Sequence, residues 1–141
     1  VADGDFEPVV NDSLLATSDW ILEHLEDPDV VLLDVRSQEE LSGEDMKSER
    51  GGRIPGAVHY EWSRSLEPDG SGLLRPVEEI RENFAELGVT PDSEVATYCQ
   101  VGARAAHSYL ILRHLGFDRV RIYDGSWAEW GNDPELPVET P

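Results

Sequence analysis

Cys99 is the only cysteine among 141 residues, and the sequence that follows it is Gln100-Val101-Gly102-Ala103-Arg104. A lone cysteine excludes an internal disulfide framework and leaves nucleophilic chemistry as its functional option. The preceding run Val95-Ala96-Thr97-Tyr98 reads as a buried strand, and Ala103 to Leu115 reads as a helix stopped by Gly116. The loop between them therefore faces the free N–H groups and the positive end of a helix dipole. Arg104 adds a full positive charge, and all three influences favour a thiolate, the nucleophilic form. Gly102 permits a sharp turn and a close backbone approach to a bound atom. The alternative is a cysteine serving as a small buried hydrophobe. A strand-to-helix loop is expected to be exposed, which favours the reactive reading.

Other chemistry-bearing residues have blander explanations. Asp34 and Arg36 either organise the loop's charge or form a structural ion pair or loop clamp. Arg53 is a candidate ligand for an anionic substrate or, equally, a solvated loop arginine. His59 at a strand end reads as a structural histidine. His107 and His114 share a helix face, yet no third ligand accompanies them, so no metal site is expected. Trp127 and Trp130 read as packing residues.

The elements that must hold these residues alternate along the chain. Thr17-Ser18-Asp19 offers N-caps for a short helix over Trp20–Glu26. Val30-Val31-Leu32-Leu33 is an apolar run suited to a strand buried on both faces. Residues 42–53 and 67–72 read as surface loops, and Ile54 to His59 as a turn entering a second strand. Pro76 suits the first position of a helix running to Leu87, with Val77, Ile80, Phe84 and Leu87 at helical spacing. Val120-Arg121-Ile122-Tyr123 is the last strand, and Asp124-Gly125-Ser126 opens a final turn. This alternation predicts an α/β domain with a mainly parallel sheet covered by helices on both faces. Ligands of such sheets bind beyond the carboxyl ends of the strands. Asp34-Val35-Arg36, the Cys99 loop and Asp124-Gly125-Ser126 all end strands. The expected organisation is a leader or interdomain linker at 1–16, one domain at 17–131 and a partly packed acidic tail at 132–141.

The charge is extreme: 30 Asp and Glu oppose 11 Lys and Arg, for a formal net charge of −19. Lys47 is the single lysine. Such a surface repels itself at low salt and is relieved at molar salt, where the screening length falls to about 3 Å. An acidic, lysine-poor surface resembles proteins of salt-loving archaea. The absence of a basic patch argues against nucleic-acid binding. No apolar run reaches the roughly 18–20 residues of a membrane span and no signal peptide opens the chain, so a cytoplasmic protein is expected.

Four segments in order carry a resemblance. Leu32-Leu33-Asp34-Val35-Arg36, then Gly52-Arg53-Ile54-Pro55-Gly56-Ala57-Val58-His59, Tyr98-Cys99 through Arg104, and Tyr123-Asp124-Gly125-Ser126-Trp127 with Trp130-Gly131 resemble rhodanese domains from about Ser18 to Trp130. The resemblance implies a rhodanese-like fold and a sulfurtransferase. Cys99 would take the outer sulfur of a donor such as thiosulfate, become a persulfide and pass the sulfur to a thiophilic acceptor. The backbone amides of Gln100, Val101, Gly102, Ala103 and Arg104 would cradle that sulfur. Asp34, Arg36 and Arg53 would support the loop, and no metal or organic cofactor is implied. The partners expected are a small anionic sulfur donor and a thiophilic acceptor.

Related phosphatases place five residues between Cys and Arg in a wider ring, whereas this loop has four. The residue a phosphatase would need as arginine is Ala105. Gln100-Val101 matches neither the Arg-Lys associated with thiosulfate nor the Gly-Ser or Gly-Thr associated with 3-mercaptopyruvate. Where tandem members can carry a substrate arginine, Glu39 and Glu40 stand instead. The chain resembles the catalytic second half of two-domain sulfurtransferases, and an initial Val1 with an irregular start would suit a preceding rhodanese-like domain in the same parent chain. Thiosulfate is the first expected donor, 3-mercaptopyruvate the second. A rhodanese-like binding module without sulfur chemistry is the alternative from another class.

Overall fold

A computed structural model describes residues 7, 9 and 11–140. Five strands form one parallel sheet: β1 (Leu15–Ala16), β2 (Val30–Asp34), β3 (Val58–His59), β4 (Glu94–Tyr98) and β5 (Val120–Tyr123). Their spatial order is β1-β5-β4-β2-β3, which puts β4 at the centre. Five helices accompany them: α1 (Ser18–Glu23), α2 (Gln38–Ser42), α3 (Val77–Glu86), α4 (Ala103–His114) and α5 (Ser126–Trp130).

The central strands are apolar on both faces because each face meets its own core. Alternation along the pleat sends Leu33 and Val95 to one side and Leu32 and Ala96 to the other. The first side packs with Ile80 and Phe84 of α3 and with Ala105, Ile111 and Leu112 of α4. The second packs with Ile21 of α1 and with Trp127 and Trp130 of α5. The same alternation decides where the chemistry goes. Cys99 follows Val95 by four residues and joins the α3/α4 cluster, while Tyr98 joins the other.

Several expectations shift. The first helix starts two residues earlier than expected and ends at Glu23, because Thr17 caps it by accepting from the Trp20 N–H at 3.1 Å. Leu15 and Ala16, read above as leader, pair with Ile122 and Tyr123 as an edge strand. Two residues are too few to show an alternating pattern. Pro76 caps α3 from outside rather than opening it. Helix α2 was not foreseen, although Ser37-Gln38-Glu39-Glu40 is a capping-box sequence and the structure contains that box. The final turn is a short helix, α5.

Candidate active site at the end of β4

Three loops meet where the central strands end. The end of β2 and the segment after it contribute Asp34, Arg36 and Glu40, the segment after β4 contributes Cys99 to Arg104, and the segment after β5 contributes Asp124 to Ser126. Parallel pairing of β2 with β4 sets Asp34 opposite Tyr98, and the Tyr98 carbonyl then accepts from the Val35 N–H at 3.0 Å. Sequence-distant loops are thus brought together by strand register.

The Cys99 loop is pinned by α5. Cys99 N–H donates to Ser126 Oγ at 3.1 Å, and Ser126 Oγ donates to the Tyr123 carbonyl at 2.8 Å. The Trp127 and Ala128 N–H groups donate to the Cys99 and Gln100 carbonyls, both at 2.9 Å. Ser126 holds φ +51°, the only non-glycine residue at positive φ among the described residues. That conformation is costly for serine and is retained by the two hydrogen bonds of its hydroxyl. Gly102 holds φ +83°, and a Cβ there would lie 2.6 Å from Asp124 Oδ1. Glycine is therefore required both by conformation and by space.

The N–H groups of Gln100 to Arg104 find no protein acceptor among the described residues. They are orphan donors of a helix start, grouped around the residue after β4. Val101 projects outward, 67% exposed, whereas Cys99 is fully buried. The burial corrects the expectation of an exposed cysteine. The alternation of β4 continues one residue past the strand and carries the side chain under the loop.

Arg104 does not stand alone. Its Nη1 and Nη2 donate to Glu40 Oε2 and Oε1 at 2.5 and 2.8 Å. The bonds to Glu40 hold the guanidinium above the ordinary arginine range. Burial opposes them, and the adjacent Cys99 sulfur adds a smaller contribution of the same sign as Glu40. Glu40 is itself buried, which would raise its pKa. The bonds from Arg104 and from the Ser37 N–H outweigh burial and bring it down to about 2. The sequence sets Glu40 where tandem members can carry a substrate arginine, but gives no sign of its pairing with Arg104. The pairing joins residues 64 positions apart, and only the capping box hinted that its carboxylate would be oriented.

Asp34 and Arg36 form a buried ion pair. Both are buried; Arg36 Nε lies 3.0 Å from Asp34 Oδ1 and Nη2 lies 2.5 Å from Oδ2. The same Nη2 donates to the Gly52 carbonyl at 2.7 Å, and the guanidinium lies 4.4 Å from the Trp127 ring centroid. Burial disfavours the charge on Arg36, but Asp34 outweighs it and keeps the arginine above its ordinary range. Arg53 goes elsewhere. Its side chain pairs with Glu139, and the two residues also bond backbone to backbone at 2.9 Å in both directions. A guanidinium matched by a carboxylate in this way clamps the C-terminal segment. His59 Nε2 lies 2.9 Å from the Arg36 carbonyl. His107 packs edge-on against Trp62 and His114 lies on the same helix; no metal-holding group of three or more His, Cys, Asp or Glu occurs among the described residues.

The family model for the rhodanese-like domain matches residues 17–133. The chain is a rhodanese-like domain. It is 43% identical over 130 residues to a thiosulfate sulfurtransferase of Azotobacter vinelandii, covering 92% of this chain and 47% of that protein. A thiosulfate sulfurtransferase of Pseudomonas aeruginosa is 37% identical over 136 residues, covering 96% of this chain and 49% of its own. This rhodanese-like domain thus spans about half the length of these two relatives. Among solved structures, EanB with ergothioneine covalently linked with a persulfide cysteine superposes with a TM-score of 0.83 at 33% identity, covering 91% of this chain and 32% of that one. No helix among the described residues is long and apolar enough to cross a membrane.

Proposed function

We propose that this domain transfers sulfane sulfur through a Cys99 persulfide, with thiosulfate as the donor. The observation that carries the reading is the placement of Cys99 at the head of a loop whose N–H groups, from Gln100 to Arg104, have no acceptor among the described residues. The Cys99 thiolate attacks the outer sulfur of thiosulfate. The new sulfur–sulfur bond forms as the old one breaks, and its electron pair leaves with sulfite. The persulfide anion is then stabilised by converging N–H donors and by the nearby Arg104. A thiophilic acceptor attacks the outer sulfur and returns Cys99 to its thiolate, which predicts ping-pong kinetics. The thiosulfate sulfurtransferases among the relatives support this choice of donor, and 3-mercaptopyruvate is the next to try. A preceding rhodanese-like domain, a cytoplasmic setting and a high-salt environment complete the proposal. The high-salt reading rests on the net charge of −19.

One observation favours a second reading. Complete burial of Cys99 suits a structural cysteine in a binding module without sulfur chemistry. Thiocyanate formation from thiosulfate and cyanide separates the two, measured for the parent chain and Cys99→Ser at low and at molar salt. Sulfur transfer at Cys99 requires parent activity and a loss of more than about 10³-fold in the variant. A folded parent that yields no thiocyanate from thiosulfate or 3-mercaptopyruvate, with the preceding domain restored, leaves the binding module.

A further inference from the structure

Three cations near the Cys99 loop are each paired with a carboxylate. Arg104 is matched by Glu40 through two hydrogen bonds, Arg36 by Asp34, and Lys47 by Asp45 at 2.7 Å. The formal side-chain charge of these three pairs is zero. Arg104 belongs to the Cys99 loop itself and stands in the first turn of α4, where the helix dipole disfavours a cation. Glu40 offsets that cost, being itself 4% exposed and oriented by the α2 capping box. The pairing also removes most of the attraction the site could offer to the second negative charge of a dianion.

We infer that Glu40 is a specificity-determining residue, which sets the charge of the sulfur donor by neutralising Arg104 beside Cys99. This rests on the sulfurtransferase reading. Donors with one negative charge, such as an alkane thiosulfonate, then suffer less from Glu40 than dianionic thiosulfate does. The chemistry at sulfur is the same for both: Cys99 takes the outer sulfur, and the departing group is a sulfinate in one case and sulfite in the other. The two transition states differ by one unit of charge on the departing group. A carboxylate bound to the arginine of the Cys99 loop penalises the more charged one.

The test is the ratio of kcat/KM for thiosulfate to that for methanethiosulfonate, with cyanide as common acceptor, at the lowest salt that keeps the chain folded. Taking a ratio cancels any change in the folded fraction. Glu40→Gln removes the charge, retains an acceptor for Arg104, and should raise the ratio about tenfold. Glu40→Asp retains the charge and should leave the ratio within about twofold of the parent, even if both rates fall. The Glu40→Gln shift should shrink as salt is added, since a charge effect is screened. An unchanged ratio in Glu40→Gln, or an equal shift in Glu40→Asp, overturns the role of Glu40 while leaving sulfur transfer intact. Absence of thiocyanate from the parent with both donors overturns the sulfurtransferase reading and this inference with it.

Discussion

Around Cys99 each neighbour has a separable task. Ser126 holds the Cys99 backbone, Gly102 provides the turn, and Arg104 with Glu40 sets the local charge. Ser126 is the most informative of these outside the thiol itself, because it accepts a strained φ of +51° to accept from the Cys99 N–H. Ser126→Ala keeps the Cβ and the strain but removes the acceptor for a buried donor. It should cost about 1–3 kcal/mol of stability in denaturant titration. A displaced Cys99 backbone should also lower kcat for thiocyanate formation by about tenfold, with KM for thiosulfate changing less. A variant as stable and as active as the parent would show that the hydroxyl is incidental.

The elements deliver these residues by parallel register rather than by proximity in sequence. Pairing of β2 with β4 sets the Asp34–Arg36 clamp beside the Cys99 loop, and Arg36 then ties that clamp to Gly52 and Trp127. Truncating one partner leaves a buried charge with its match removed. Asp34→Ala should therefore cost about 3–5 kcal/mol, visible as a large drop in the urea midpoint. A loss below about 1 kcal/mol would show that water or another acceptor compensates Arg36. The C-terminal segment belongs to the same architecture. Leu136 is buried, Trp130 Nε1 donates to the Pro137 carbonyl at 2.7 Å, and Glu139 closes on Arg53.

For the whole molecule, charge and core follow different logic. The two apolar clusters on either face of the sheet are those of an ordinary α/β domain. The surface carries a net charge of −19, whose self-repulsion opposes the compact state. Raising salt from about 0.1 M to about 2 M should therefore raise Tm by about 10 °C or more, about 3 kcal/mol or more for a domain of this size. Calorimetry at matched pH checks this, and an unchanged or falling Tm would remove the high-salt reading without touching the site.

Local chemistry makes the main elements and the loop after β4 legible in the sequence alone. A buried strand, a cysteine, a glycine and a helix start are consecutive in sequence, and the forces that shape them act within a few residues. The apolar runs of β2 and β4 announced a sheet covered on both faces for the same reason. Tertiary structure alone decided three matters. It paired Glu40 with Arg104 across 64 positions, sent Arg53 to Glu139, and placed Cys99 beneath its loop. Each depends on which charges and side chains the sheet register brings together at distances of a few ångströms, and sequence separation says nothing about those distances.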